Sequence, residues 1–326
     1  MLKIKSFLLL LFLFTTSIHY SQFTDVINSN RPGKSMGAFS VGKTVFQAEL
    51  GLYGFDESHD LLNYDAQGVG SNLSLRYGAF LEQLEFILEL EYQQEWYQAT
   101  LTNKSTAGLS QTIIGAKYLI YDPLKKQDKT KPNLYSWKAN HQFSWKQFIP
   151  AVGVYAGLNV NVAKDDFSRP GIPEDPSFSP KVMLLTQNQL GRYVLVTNII
   201  LDKFGSDLQS IDYAVTLTRG INQRWSAYIE SNGYYGDYYK DAFIRGGAAY
   251  LVKQNIQIDA SISTNFKDTP SIFGGGIGLS WRFDKNYQEV MLRVPKDKEE
   301  KEKGKKDKKK DKSKKRLDEV EVEKTN

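Results

Sequence analysis

Apolar and polar side chains alternate with a strict two-residue period in roughly a dozen short stretches of this chain. The alternation is clearest over residues 273–283 (FGGGIGLSWRF). There Phe273, Ile277, Leu279, Trp281 and Phe283 share one face, while glycines, Ser280 and Arg282 share the other. Successive side chains of a β-strand point to opposite faces. A strand that is apolar on one side, small and polar on the other, and aromatic at its end suits a barrel in which lipid replaces the protein core.

The same period recurs from residue 46 onward. Phe46, Ala48, Leu50 and Leu52 alternate with Gln47, Glu49, Gly51 and Tyr53. A second stretch sets Leu73, Leu75, Tyr77 and Ala79 against Asn72, Ser74, Arg76 and Gly78, and a third sets Leu84, Phe86, Leu88, Leu90 and Tyr92 against Glu85, Glu89, Glu91 and Gln93. A fourth (111–121) places Ile114, Ala116 and Tyr118 outward and Lys117 inward; a fifth alternates Val152, Val154, Ala156 and Leu158 with Gly153, Tyr155, Gly157 and Asn159. Stretches near 181–189 and 193–201 are apolar on both faces, so their register stays open. Five more follow, around Tyr213–Leu217, Trp225–Ile229, Phe243–Leu251, Ile256–Ile262 and residue 273. Single runs of this kind are weak signals, and their recurrence is a strong one. Tight links at 81–83, 189–192, 220–224 and 252–255 alternate with longer polar ones at 55–71, 97–108, 164–178, 202–210 and 265–271. Short turns on one side and long loops on the other are the asymmetry of outer-membrane barrels.

The expected fold is therefore all-β: a closed antiparallel transmembrane β-barrel of about 12 strands, both termini periplasmic. Mean hydropathy is only −0.44, which a polar lumen accounts for. Aromatics make up 13% of the chain, in keeping with interfacial girdles. Cysteine is absent, which excludes disulfides, thiolate metal sites, a thiol nucleophile and a lipid-anchored N-terminal cysteine.

The flanks carry different information. Lys3 and Lys5 precede the apolar run 7–14 (FLLLLFLF), and Ser21 before Gln22 marks the expected cut, so residues 1–21 read as a signal peptide. Residues 22–43 read as a periplasmic lead-in or lumen segment, 44–283 as the barrel, and 284–326 as a charged, disordered periplasmic tail. That tail holds 16 Lys/Arg and 12 Asp/Glu, against 26 and 25 in the residues before it. Nearly all of the +5 formal charge is thus in the tail, and nucleic acid is not an implied partner. Residues 122–147 break the short-turn rule. Trp137, His141, Trp145 and Phe148 are spaced for a short amphipathic helix, with an early start of the next strand equally open.

One segment points to a family. Asn30-Arg31-Pro32-Gly33-Lys34-Ser35, then Ala38-Phe39-Ser40-Val41-Gly42 and Gln47-Ala48-Glu49-Leu50-Gly51, resembles the opening of the outer-membrane barrels grouped as MetA-pathway-of-phenol-degradation transporters. Those proteins open with an Asp-Arg-Pro-type motif, a small spacer and a first strand carrying Gln/Glu and Gly. Asn30 stands where Asp is usual. The resemblance covers roughly residues 30–283 and leaves out the Lys-rich tail. It implies a transporter-like barrel for small or aromatic compounds.

Catalytic and metal chemistry find little purchase. His141 and Ser144 sit three apart without an orienting partner, so no catalytic residue is assigned and the chain is read as a non-enzyme. His59 lies among Asp56, Glu57, Asp60 and Asp65, but without the spacing of a dedicated cation loop; neither metal nor cofactor is assigned. Tyr234, Tyr235, Tyr238 and Tyr239 read as an interfacial girdle. The inward charges carry the interest. Glu49, Glu85, Glu89, Glu91, Glu230 and Asp259 share the polar face with Arg76, Lys117, Arg245 and Arg282, and Tyr155 joins them. These are the candidate lumen and solute-path residues. They form either a selective constriction or a salt-bridged plug filling a narrow bore.

The function this supports is an outer-membrane channel or transporter for small solutes, with aromatic or hydrophobic compounds as the solute class. The alternative is a non-conducting barrel serving an envelope assembly through its tail. Expected partners are outer-membrane lipid, the solute and a periplasmic or envelope protein docked on the tail.

Overall fold

A computed structural model of the chain describes residues 27–123, 148–162, 167, 172–173 and 175–284. The expected signal peptide, the 137–148 helix (save Phe148), His141, Ser144 and the Lys-rich tail beyond Asp284 lie outside the described residues.

Twelve strands run in sequence: β1 Phe46–His59, β2 Tyr64–Gly78, β3 Leu84–Ala99, β4 Thr102–Tyr121, β5 Ala151–Val160, β6 Phe178–Leu190, β7 Tyr193–Asp202, β8 Ser210–Gly220, β9 Trp225–Gly236, β10 Lys240–Lys253, β11 Ile256–Asn265 and β12 Ser271–Phe283. Each pairs antiparallel with its sequence neighbours, and β1 closes on β12 from Phe46↔Phe283 to Ser58↔Ser271. Closure leaves no open sheet edge, which a hydrocarbon solvent would penalise at every unpaired backbone group. The end where β1 begins and β12 finishes is called here the near rim, and the opposite end the far rim.

The two faces separate as the period demands. Leu50, Leu52, Ile114, Ile229, Ile262 and Ile277 are exposed on the outside. Gln47, Glu49, Arg76, Glu85, Lys117 and Glu230 are buried inside. Aromatic rings frame the apolar band. Trp281 stacks on Phe283 with centroids 4.2 Å apart, Phe283 meets Phe46 at 5.7 Å, and Trp225 meets Tyr250 at 4.8 Å near the same rim. An arginine in the middle of this band has only hydrocarbon to face. Ile277→Arg is expected to cost about 2–4 kcal/mol of folding free energy in a bilayer. Denaturant unfolding in lipid vesicles checks it, and an unchanged midpoint would place Ile277 away from lipid.

Strand lengths depart from expectation on one side. The polar stretches 55–71 and 97–108 are not loops. β1 runs to His59 and β2 starts at Tyr64, while β3 ends at Ala99 and β4 starts at Thr102. The 20 residues of β4 far exceed the 9–11 or so that a tilted strand needs to cross hydrocarbon. The far-rim part of this wall is therefore polar on both faces, and it carries no alternation signal. A bulge at Glu91/Tyr92, where β4 supplies one extra residue (Ser110), lets the tall wall twist. His59 is used structurally at the β1–β2 turn. Its Nδ1 accepts the Leu62 N–H at 3.2 Å, and its ring lies 5.0 Å from that of Tyr64.

Candidate functional site

The inward rows of β1–β4 meet at the near rim in one buried ion cluster. Arg76 Nε donates to Glu85 Oε1 at 2.5 Å and Arg76 Nη1 to Glu49 Oε1 at 2.8 Å. Lys117 Nζ lies 3.2 Å from Glu85 Oε2. Register explains the meeting. Gln47↔Arg76, Arg76↔Ile87 and Glu85↔Lys117 are cross-strand partners, so period 2 stacks these charges on one level. Charges buried this deeply persist only when paired and hydrogen-bonded on their remaining sites.

Those remaining sites are taken by residues 27–43, which enter the bore instead of lying outside it. Arg76 Nη1 and Gln47 Nε2 donate to the Asn28 carbonyl. Lys117 Nζ donates to the carbonyls of Gly37 (3.1 Å) and Phe39 (2.9 Å), which with Glu85 uses its three protons. Val41 N–H donates to Glu85 Oε2 at 2.9 Å. On the opposite wall the Glu230 carboxylate accepts the N–H groups of Lys34 (2.9 Å) and Ser35 (3.2 Å). Asn198 brackets Met36, accepting its N–H at 2.6 Å and donating to its carbonyl at 2.9 Å. Gln187 accepts the Ala38 N–H. A non-repetitive segment cannot satisfy its own backbone, so wall side chains do it.

Arg31 is the latch of this segment. Its guanidinium donates to Asp259 at 3.2 Å, to Asn72 Oδ1 at 2.6 Å and to the Ile277 carbonyl at 3.3 Å. It lies in a slot between Gly51 and Gly278, themselves register partners; a Cβ on either would overlap the guanidinium. The segment leaves the bore through a turn at Gly42, whose φ of 101° suits glycine. Opposite it Gly78 admits the Gly42 carbonyl where a Cβ would collide.

An apolar patch lies on the β3–β7 side of the lumen. Met36 and Ala38 pack against Ile87, Ile113, Leu119, Ala151, Tyr155, Met183 and Leu185, with Phe39 and Ile200 alongside. This resolves the two stretches that looked apolar on both faces. In β6 Met183 and Leu185 point inward while Val182 and Leu184 point out.

The candidate residues thus take different places. Glu49, Arg76, Glu85 and Lys117 form one cluster. Glu230 joins Arg245 at 3.5 Å, and Asp259 joins Arg31. Tyr155 is buried in the apolar patch, and Arg282 sits at the near rim beside Asp284 at 3.2 Å. Glu89 stands half-buried between Ser74 and Ile113 on the inward row. Glu91 lies higher, accepting the Tyr53 hydroxyl at 2.5 Å. Sequence reasoning missed Arg31, Asn72, Gln187 and Asn198. A lone amide such as Asn198, inside an otherwise apolar run, was the available signal for the last.

Above the segment, toward the far rim, the bore opens into a cavity of ≈ 420 Å³ lined by Gln111, Asp202, Ser210, Asp212, Tyr234 and Tyr239 among others. Tyr234, Tyr238 and Tyr239 therefore line this cavity, while Tyr235 does not and keeps the exposure a girdle residue would have. Beside the segment runs a narrower crevice of ≈ 190 Å³ between residues 27–37 and the inner faces of β6–β11, touching Gln187, Val196, Thr216, Tyr228 and Gln257.

Residues 29–283 match the family model described as "Putative MetA-pathway of phenol degradation". The chain belongs to this family. The span that the phenol-degradation family shares begins inside the lumenal segment and ends on the last residue of β12, so it covers both the segment and the wall that holds it. No curated protein matches the chain. Among solved structures, the Pseudomonas putida toluene transporter TodX is similar at 10% identity and a TM-score of 0.45, over 82% of this chain and 99% of that one. The β domain of the Bordetella autotransporter BrkA is similar at 11% identity and a TM-score of 0.44, over 74% and 100%. The translocator domain of the Neisseria meningitidis autotransporter NalP is similar at 10% identity and a TM-score of 0.42, over 73% and 88%.

Proposed function

We propose that this member of the phenol-degradation family is an outer-membrane channel for small solutes, aromatic or hydrophobic compounds among them, and that residues 27–42 are its gate. One observation carries the reading: the bore is blocked by a segment that belongs to no wall strand, with the ≈ 420 Å³ cavity above it and the ≈ 190 Å³ crevice beside it. A barrel filled by its own wall side chains would need no such insert. On this reading the near rim faces the periplasm, residues 1–21 are the export signal, and the exposed apolar band faces outer-membrane lipid.

The hold on the gate suits displacement. Each net hydrogen bond contributes about 1 kcal/mol, while ordering each residue costs about 1–2 kcal/mol. Retention is then a small difference between comparable terms, which a solute or an applied voltage can shift.

A tether tests the gate. The chain has no native cysteine, and a Cβ on Gly153 would lie 3.7 Å from the Ala38 Cα, within reach of a disulfide. In Ala38→Cys/Gly153→Cys, oxidation is expected to reduce arabinose-driven liposome swelling to that of protein-free liposomes, and reduction to restore it. Equal swelling in both states would remove the gate from residues 27–42.

A further inference from the structure

The far-rim cavity allows a finer statement of which solutes the channel accepts, and it rests on the channel reading above. Its described lining is acidic. Asp175, Asp202, Asp212 and Asp237 line it together with one basic residue of the described lining, Lys203, which is already paired with Asp175. Asp202 is also engaged, accepting from Asn159 at 2.8 Å and from the Lys203 N–H at 3.0 Å, with Lys181 at 3.8 Å.

Asp212 differs. It is 6% exposed, and its Oδ1 has no hydrogen-bond partner among the described residues. Register places it between Ile200 and Tyr234 on the inward row that floors the cavity. One inward position deeper on β9, Asn232 is 4% exposed and its Oδ1 is likewise unmatched, its amide nitrogen being given to the Tyr234 hydroxyl at 3.4 Å. Both unmet atoms are acceptors. Buried acceptors without donors are costly, and a carboxylate more so than an amide.

The ligand that completes this arrangement must donate hydrogen bonds and carry positive charge. A hydrocarbon leaves both acceptors unmet, and a carboxylate solute adds repulsion. Tyr234 supplies an aromatic face beside Asp212, and Lys267, with its ammonium 5.2 Å from the Tyr239 ring centroid, shows that rings here already accept a cation. The cavity volume lies within the usual range for small-molecule sites.

We infer that the far-rim cavity binds small organic ammonium compounds, the ammonium group docking at Asp212 and Asn232 with its hydrocarbon body against Tyr234. Calorimetric titration of the full-length protein in nanodiscs, with benzylammonium chloride, benzyl alcohol and sodium benzoate as probes, tests this. Benzylammonium is expected to bind saturably at one site, benzyl alcohol about tenfold or more weaker, and benzoate undetectably. Asp212→Asn keeps the shape and is expected to weaken benzylammonium about tenfold or more, and Asn232→Ala severalfold, whereas exposed Asp237→Asn should change it less than about twofold. Equal affinity for the alcohol, only non-saturable partitioning, or an unaffected Asp212→Asn would each overturn the site. Binding is read without flux, so the two readings fail separately. A barrel that binds benzylammonium but passes nothing refutes the channel and keeps the site; one that conducts without this discrimination does the reverse.

Discussion

Deleting residues 27–42 is expected to turn a barrel whose bore that segment occupies into one that conducts continuously in planar bilayers. The deletion spares all twelve strands and every wall-to-wall hydrogen bond in the ladders. What it removes is the backbone that occupies the bore at the level of Arg76, Lys117, Asn198 and Glu230. The vacated space is bounded by polar side chains and fills with water, so the ions of the Arg76–Glu85–Lys117 cluster gain solvent in place of the Asn28, Gly37 and Phe39 carbonyls. For that reason the truncated chain is expected to fold. Twelve strands enclose a bore between that of filled eight-stranded barrels and that of open sixteen-stranded porins, so the expected pore is narrow but continuous. Its selectivity follows from the wall. Glu91, Glu95, Asp202, Asp212 and Asp241 line the far half against Lys181 and Lys203, and the departing segment takes Arg31 and Lys34 with it. Reversal potentials in a KCl gradient should therefore show preference for K⁺, as rings of carboxylates impose. A deletion protein that inserts yet stays silent at every voltage would show that the bore is closed by its own wall. The non-conducting, assembly-subunit reading would then replace the channel.

The parts of this molecule that were legible from sequence are those where one face meets hydrocarbon and the other meets water. Leu50, Leu88 and Ile258 alternate with Glu49, Glu89 and Asp259, and such contrast places inward residues without coordinates. Legibility fails where the contrast vanishes, in two physically opposite ways. Along residues 55–59, 64–71, 97–99 and 102–108, beyond the apolar band, both faces meet water, so strands read as loops. In β6 and β7 both faces are apolar because the inward one packs on Met36 and Ala38, and period 2 alone cannot tell lipid from a plug. The lumenal segment itself carries no periodicity at all. Its location is set by donors and acceptors distributed across β1, β2, β3, β4, β6, β7, β9, β11 and β12, a pattern that exists only after closure. Arg31 illustrates the gap: its motif marks the family, but its meaning lies in the Gly51–Gly278 slot and in Asp259, residues far away in the chain.

Replacing Glu85 with alanine should be the most damaging single substitution in the lumen, at about 3–5 kcal/mol. The magnitude follows from what the carboxylate does. It accepts from Arg76 through both oxygens, at 2.5 and 3.3 Å, from Lys117 at 3.2 Å and from the Val41 N–H at 2.9 Å. All three partner groups lie in the barrel interior, and Arg76, Lys117 and Glu85 are fully buried. Alanine leaves two cations with Glu49 as their nearest remaining anion, and it removes the anchor at the end of the gate where Val41 turns out toward β1. Glu85→Gln retains shape and acceptor capacity for one donor, so its cost should be smaller though still substantial. Asp65→Ala provides the contrast. That carboxylate makes an exposed contact with Ser58 at 2.7 Å, and its loss should stay within about 0.5 kcal/mol. Guanidinium unfolding in vesicles ranks the three, and conductance adds an independent readout, because freeing the Val41 end should raise the open fraction in Glu85→Ala but not in Asp65→Ala. If Glu85→Ala unfolds at the wild-type midpoint, the cluster is solvated rather than buried, and the segment does not seal the bore at the near rim.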